Sequence, residues 1–307
     1  MHEELLAARP SPIDRVVVLP PIRGVSVNDR QHTEPADAEA CLLRLRAERF
    51  DLALQLHGGG GYSNPFVRAL GARLTVGLRA PGAEPLDLWT PYFYYQPEVV
   101  RYLEVLTLLG IRPSGLEPRF EVVERDRQEA CAVLSQLTKP FAVLHPGATD
   151  ERRRWPAERF AAVGDRLAAA GAAVVVTGTG TERALVEQVV ETMAQPAVDA
   201  CDALSINGLV GLLSEAALVV SNDTGPLHLA AALGAATAGI FWCGNMVNGA
   251  PMTRTRHRPF PAWQSSCPIC GRHISEARCE HDPSFVTEVS TDAVAQAAVE
   301  LLERAQE

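Results

Sequence analysis

The sequence predicts an α/β fold, a parallel sheet wound on both faces by helices. Three observations lead there. Short apolar runs alternate with longer stretches whose apolar residues recur at helical spacing. Runs such as Phe141-Ala142-Val143-Leu144 and Ala217-Leu218-Val219-Val220 are apolar throughout, as strands buried on both faces must be. Each of these two runs ends in a polar, Gly-containing loop that leads into a helix start.

The N-terminal half is the sparser one. Val16-Val17-Val18-Leu19 reads as a strand ended by Pro20-Pro21, and Asp37 to Arg49 reads as a helix. Asp51 to Leu56 is a second strand, entering His57-Gly58-Gly59-Gly60-Gly61, with a helix carrying Phe66, Val67 and Leu70 beyond it. Leu74 to Leu78 is a short strand, residues 81–97 an ordered loop, and Glu98 to Leu109 a helix stopped by Gly110. The C-terminal half is more regular. Asp126 to Leu137 is helical, Phe141 to Leu144 a strand, and Pro156 opens a helix closed by Gly171. Ala173 to Val176 and Thr237 to Trp242 are strands, Glu182 to Met193 is helical, and Thr291 to Glu307 is a closing helix. A length of 307 residues suits two domains. The expected division is an N-terminal domain at 1–125, a C-terminal domain at 126–289 and the closing helix at 290–307.

Composition excludes some functions. A net charge of −9 argues against nucleic acid as a partner. No apolar run approaches a membrane span, and Met1-His2-Glu3-Glu4 does not read as a secretory leader. A cytoplasmic protein is expected, its scattered cysteines reduced.

Three loops in the C-terminal half leave carboxyl ends of strands and should meet in one crevice: 145–154, 177–182 and 221–228. The last is the most informative. Asn222-Asp223-Thr224-Gly225 is a tight polar turn, Pro226 sits where a helix begins, and His228 lies on its first turn. A helix N-terminus at a strand's carboxyl edge favours an anion, and Asp223 adds a carboxylate for hydroxyls. The flat Ala230-Ala231-Ala232 face would let the helix press closely on the sheet. The first loop offers Thr149 and Arg152-Arg153-Arg154, suited to a diphosphate. The second offers Glu182, suited to ribose hydroxyls. Each has a plainer reading: the turn as a helix cap, the arginines as a solvated helix entrance, Glu182 as a first-turn acid balancing the dipole. Their shared edge favours a nucleotide-diphosphate ligand.

Two segments carry a family resemblance. His145-Pro146-Gly147-Ala148-Thr149 leads through Arg153-Arg154-Trp155-Pro156, and Asp223-Thr224-Gly225-Pro226-Leu227-His228 continues unbroken to Gly234. In that order they resemble the heptosyltransferase family, glycosyltransferase family 9. The resemblance implies a GT-B fold, two Rossmann-like domains with parallel sheets facing a cleft. It implies transfer of a heptose-like sugar from a nucleotide-diphosphate donor such as ADP-heptose to a saccharide or lipid-linked acceptor, in cell-envelope glycan synthesis. Transfer would invert the anomeric centre and need no metal. The enzyme would be cytoplasmic, with peripheral contact at the inner membrane face. Thr149, Arg153, Glu182, Asp223, Thr224, Gly225 and His228 would bind the donor, and Arg153 would also neutralise the leaving diphosphate. The family's N-terminal strand and Gly-Asp loop, implied to carry the general base, have no counterpart here. The N-terminal domain is therefore expected to be incomplete and the base unassigned, with His57 either an acceptor-loop residue or a turn stabiliser. A catalytically inactive nucleotide-sugar-binding protein is the competing expectation.

Finally, Cys267-Pro268-Ile269-Cys270 with Cys279 and His281 has spacing that permits a tetrahedral zinc site, with His273 a rival ligand. The alternative is a group of free thiols.

Overall fold

The structure is a computed structural model describing residues 2–7, 9–26, 35–273 and 278–305. It divides into two compact units, Arg15–Leu116 and Met1–Asp14 with Glu117–Glu307. The chain opens with helix α1 (His2–Leu6) in the second of these units.

The unit at 15–116 contains α2 (Pro35–Arg46), β1 (Leu52–Gln55), α3 (Ser63–Ala69), β2 (Leu74–Arg79), β3 (Leu88–Pro91) and α4 (Glu98–Thr107). Its strands form a parallel sheet in the order β1-β2-β3. Val76 and Leu78 of β2 are fully buried with Val105 of α4. Strand β3 lies in the stretch expected to be a loop. Val16 to Leu19, expected as a strand, pairs with nothing in the described sheets, and Val18 is exposed. Pro20 and Pro21 follow at once, and neither has an N–H to give a ladder.

The other unit continues with α5 (Glu124–Leu134), β4 (Phe141–His145), α6 (Ala157–Ala169), β5 (Ala173–Gly178), α7 (Arg183–Thr192), β6 (Ala197–Cys201), α8 (Ile206–Glu215), β7 (Leu218–Asn222), α9 (Gly225–Leu233), β8 (Ala236–Trp242), α10 (Cys243–Gly249), β9 (His257–Ala262) and α11 (Thr291–Arg304). Its sheet is six-stranded and parallel, in the order β6-β5-β4-β7-β8-β9. Apolar β4 residues supply two cores because successive side chains point to opposite faces. Ala142 and Leu144 join Phe160, Val163 and Leu167 of α6 and Leu301 of α11. Phe141 and Val143 join Ala130 of α5 and Leu212 of α8 on the other face.

The first fourteen residues belong here, where the sequence placed them in the N-terminal domain. Arg9 explains the difference. Its guanidinium makes a two-pronged pair with Asp126 at 2.6 and 2.8 Å, both side chains buried, and lies over the Phe120 ring. Strands β6 and β9 and helices α8 and α10 were not anticipated; Ala197 to Cys201 is too mixed in polarity to read as a strand. The last two residues of the expected closing helix lie outside the described residues.

Candidate functional site

The strand order reverses between β4 and β7: from β4 the chain runs outward through β5 and β6, from β7 the other way through β8 and β9. In open α/β sheets such a switch point opens a crevice at the strands' carboxyl ends. The three loops singled out in the sequence follow β4, β5 and β7, which are neighbours in this sheet.

Asn222, the last residue of β7, bridges the crevice's floor. Its buried amide donates to Pro146 O at 2.7 Å and accepts from the Trp155 N–H at 3.0 Å. The β4 loop is thereby tied to β7 at both ends. Trp155 is fully buried, and its indole N–H donates to Val289 O at 3.2 Å.

Asp223 follows, also buried. One carboxylate oxygen meets His228 Nε2 at 2.9 Å; the other meets Arg153 at 3.2 Å and the Asn245 amide at 2.5 Å. Burial alone would raise the carboxyl pKa. The hydrogen bonds from His228 and Asn245 and the positive charge of Arg153 outweigh it and hold the pKa below the ordinary carboxylate value. The three arginines are not a solvated helix entrance. Arg152 pairs with Asp150, Arg154 donates to Ala148 O, and Arg153 alone turns to Asp223.

Thr224 and Gly225 open α9, whose first turn is held by the Leu227 N–H to Thr224 O at 3.1 Å. The close seating of α9 comes less from the Ala230–Ala232 face, of which only Ala230 is buried, than from Gly239 of β8. A Cβ there would lie 2.7 Å from a Leu227 methyl.

A cavity of about 440 Å³ lies beside this turn. Thr149, Glu182, Thr224 and Gly225 line it, with His145, Thr177 and an apolar wall of Leu204, Ile206 and Leu209. Glu182 accepts from the Thr179 N–H at 2.9 Å and closes its own turn. Its carboxylate also packs where a Cβ on Gly147 would come within 2.0 Å, so a side chain at 147 would displace the Glu182 carboxylate from this position. His145 is buried, and burial pushes its pKa down by more than Glu182 and Thr177 raise it, which keeps the ring neutral near pH 7.

The seven donor residues expected from the sequence thus form two adjoining groups. Four line the cavity; Arg153, Asp223 and His228 form a polar cluster joined to it through Thr224. Asn222, read only as part of the turn, and Asn245 were not expected among the site residues. A polar residue ending an apolar strand was a signal for Asn222; Asn245 sits on a helix the sequence did not announce. In the other unit the exposed His57 offers its carbonyl to Ser63 Oγ at 2.9 Å, so its backbone holds the turn. Cys267, Cys270, Cys279 and His281 come together, all ligand atoms within 4.8 Å of one another, whereas His273 pairs its backbone with Ser266.

Fold and site together define a two-unit α/β protein of the GT-B class with a switch-point site in its C-terminal sheet. Comparison with known proteins narrows this. The sequence profile of glycosyltransferase family 9 (heptosyltransferase) matches residues 40–286, and the chain belongs to that family. It is similar to lipooligosaccharide heptosyltransferase 2 of Haemophilus ducreyi, 27% identical over 118 residues; the match spans 37% of this chain and only 34% of that relative. Among solved structures it resembles a family 9 glycosyltransferase from Veillonella parvula, with a TM-score of 0.71 and 21% identity over 89% of this chain and 81% of that one. It also resembles the E. coli ADP-heptose lipopolysaccharide heptosyltransferase II, with a TM-score of 0.62 and 18% identity over 87% of this chain and 81% of that one. A third likeness is to the E. coli heptosyltransferase WaaC with ADP, with a TM-score of 0.55 and 20% identity over 87% and 78%.

Proposed function

We propose that the chain is a glycosyltransferase that moves a heptose-like sugar from a nucleotide-diphosphate donor, of the ADP-heptose type, to a saccharide or lipid-linked acceptor in cell-envelope glycan synthesis. Family membership and the likeness to neighbours that bind ADP or use ADP-heptose support the class of donor. The observation that carries the reading is the Asp223 cluster at the switch point, which holds Arg153 and His228 beside the N-terminus of α9.

In this reading the base packs on the Leu204, Ile206 and Leu209 wall and the ribose meets Glu182. The diphosphate lies at Thr149, Thr224 and Gly225, where helix N–H groups and the dipole favour negative charge. The sugar lies over Asp223 and His228. An acceptor hydroxyl attacks the anomeric carbon from the face opposite the leaving group. The new C–O bond forms as the bond to the diphosphate breaks, the anomeric centre inverts, and the acceptor proton passes to a base outside this donor site. Charge develops on the leaving diphosphate, and Arg153 and the α9 N-terminus stabilise it in place of a divalent ion. Acceptor recognition falls to the 15–116 unit, and the enzyme works at the cytoplasmic face of the membrane.

The test is a transfer assay with ADP-heptose and a lipopolysaccharide-core acceptor. Acceptor-dependent release of ADP is expected. Donor binding without any turnover would favour an inactive nucleotide-sugar-binding protein, and no donor binding at all would overturn both readings.

A further inference from the structure

The four-residue cluster lies outside the donor site, and the reaction does not use it. Cys267 and Cys270 sit on a tight knuckle. The Gly271 N–H returns to Cys267 O and the Cys267 N–H donates to Arg272 O, each at 2.9 Å, and Gly271 adopts φ +73°, which glycine allows without strain. The turn brings both sulfurs within 4.8 Å of the ligand atoms of Cys279 and His281, which come from the returning chain. Three thiols and an imidazole within 4.8 Å of one another are a tetrahedral donor set. Its soft, sulfur-rich chemistry suits zinc.

The chain that leaves this cluster runs directly onto the loop carrying Arg153. Three residues past His281, Ser284 Oγ donates to Arg154 O at 2.6 Å, and the Phe285 N–H donates to Arg152 O at 2.8 Å. The two carbonyls flanking Arg153 are therefore both held by the strap at 284–285. Asp282 adds a longer pair to Arg152 at 3.8 Å, and Phe285 is buried in a stack on Trp242. The strap ends at Val289, whose carbonyl takes the Trp155 indole N–H.

We propose that Cys267, Cys270, Cys279 and His281 bind one zinc ion, and that the ion acts as a clamp that positions Arg153 through the 282–289 strap. Binding releases the thiol protons to solvent and leaves three thiolates and a neutral imidazole on the metal. The zinc touches neither donor nor acceptor. Its effect is to fix the anchor from which the strap reaches Arg152 and Arg154, and so to set where the Arg153 guanidinium stands. The zinc site rests on its own geometry; the effect on ligand binding rests on the donor-site reading above.

The experiment measures metal content and ADP affinity on the full chain. Elemental analysis of protein from zinc-replete culture is expected to give one zinc per chain, lost in the Cys270→Ser/Cys279→Ser variant. Removing zinc from the unmutated protein with a chelator is expected to weaken ADP binding about tenfold, with full recovery when zinc alone is returned. Using the unmutated protein keeps the test valid if the variant fails to fold. Protein that neither contains zinc nor takes it up, that holds a different metal, or that holds a disulfide among these cysteines overturns the zinc assignment. Bound zinc whose removal leaves ADP affinity unchanged overturns the clamp and leaves the donor site standing. Zinc-loaded protein that binds no ADP overturns the donor-site reading instead.

Discussion

Asp223 does the most at the scale of single residues, because one buried carboxylate organises a cation, an imidazole and an amide. Its folded pKa is lowered, so the stability it contributes is fully present above its unfolded pKa of about 3.9 and is lost as pH falls through the folded value. An Asp223→Asn variant should therefore be less stable than the parent at pH 7, and the gap should close below about pH 4. Urea titrations across pH check this; a gap that widens in acid would refute it. Asn222 has a different duty. Truncating it to alanine leaves the buried Trp155 N–H and Pro146 carbonyl unpaired, at a cost of about 2–3 kcal/mol. Chemical denaturation of Asn222→Ala measures that, and a loss below about 0.5 kcal/mol would show that the amide is not the tie it is taken to be. Both residues lie in a turn that announces itself by composition. What the sequence does not carry is the partnering. Arg152, Arg153 and Arg154 are indistinguishable as letters, and only the fold sends one of them to Asp223.

Among the elements, two close approaches set the architecture of the 117–307 unit. Helices α5 and α8 pack so tightly that a Cβ on Gly211 would lie 2.1 Å from the Asp126 carbonyl oxygen. Because that obstacle is backbone, Gly211→Ala should cost about 1–3 kcal/mol by thermal or urea unfolding; an unchanged midpoint would mean the helices can separate freely. The same end of α5 takes the N-terminal segment through Arg9. Arg9→Ala leaves the Asp126 carboxylate buried without its cation, with an expected loss of about 3–5 kcal/mol, again read by denaturation. Apolar runs and Gly or Pro punctuation made β1, β2, β4, β5, β7, β8 and most helices legible. Strand β6 escaped because it carries Asp199 amid small residues, and β9 because Pro259 and Pro261 argue against a strand until its place at the sheet edge is known. Arg9 could not be assigned to its unit because its partner is 117 residues away.

For the whole molecule, the residues proposed to bind the donor were legible because all but Glu182 cluster in two segments with fixed local order. The cavity's apolar wall was not, since Leu204, Ile206 and Leu209 look like ordinary core residues until the loops after β5 and β6 are placed. The loops after β4 and β7 are proposed together to bind a nucleotide diphosphate, with Arg153 on the terminal phosphate. Calorimetric titration of ADP and AMP into the parent protein and Arg153→Ala tests it most directly. The parent should prefer ADP by at least tenfold, about 1.4 kcal/mol, and the variant should bind the two nearly alike. A parent that binds neither nucleotide, or a variant that keeps the full preference for ADP, would contradict it.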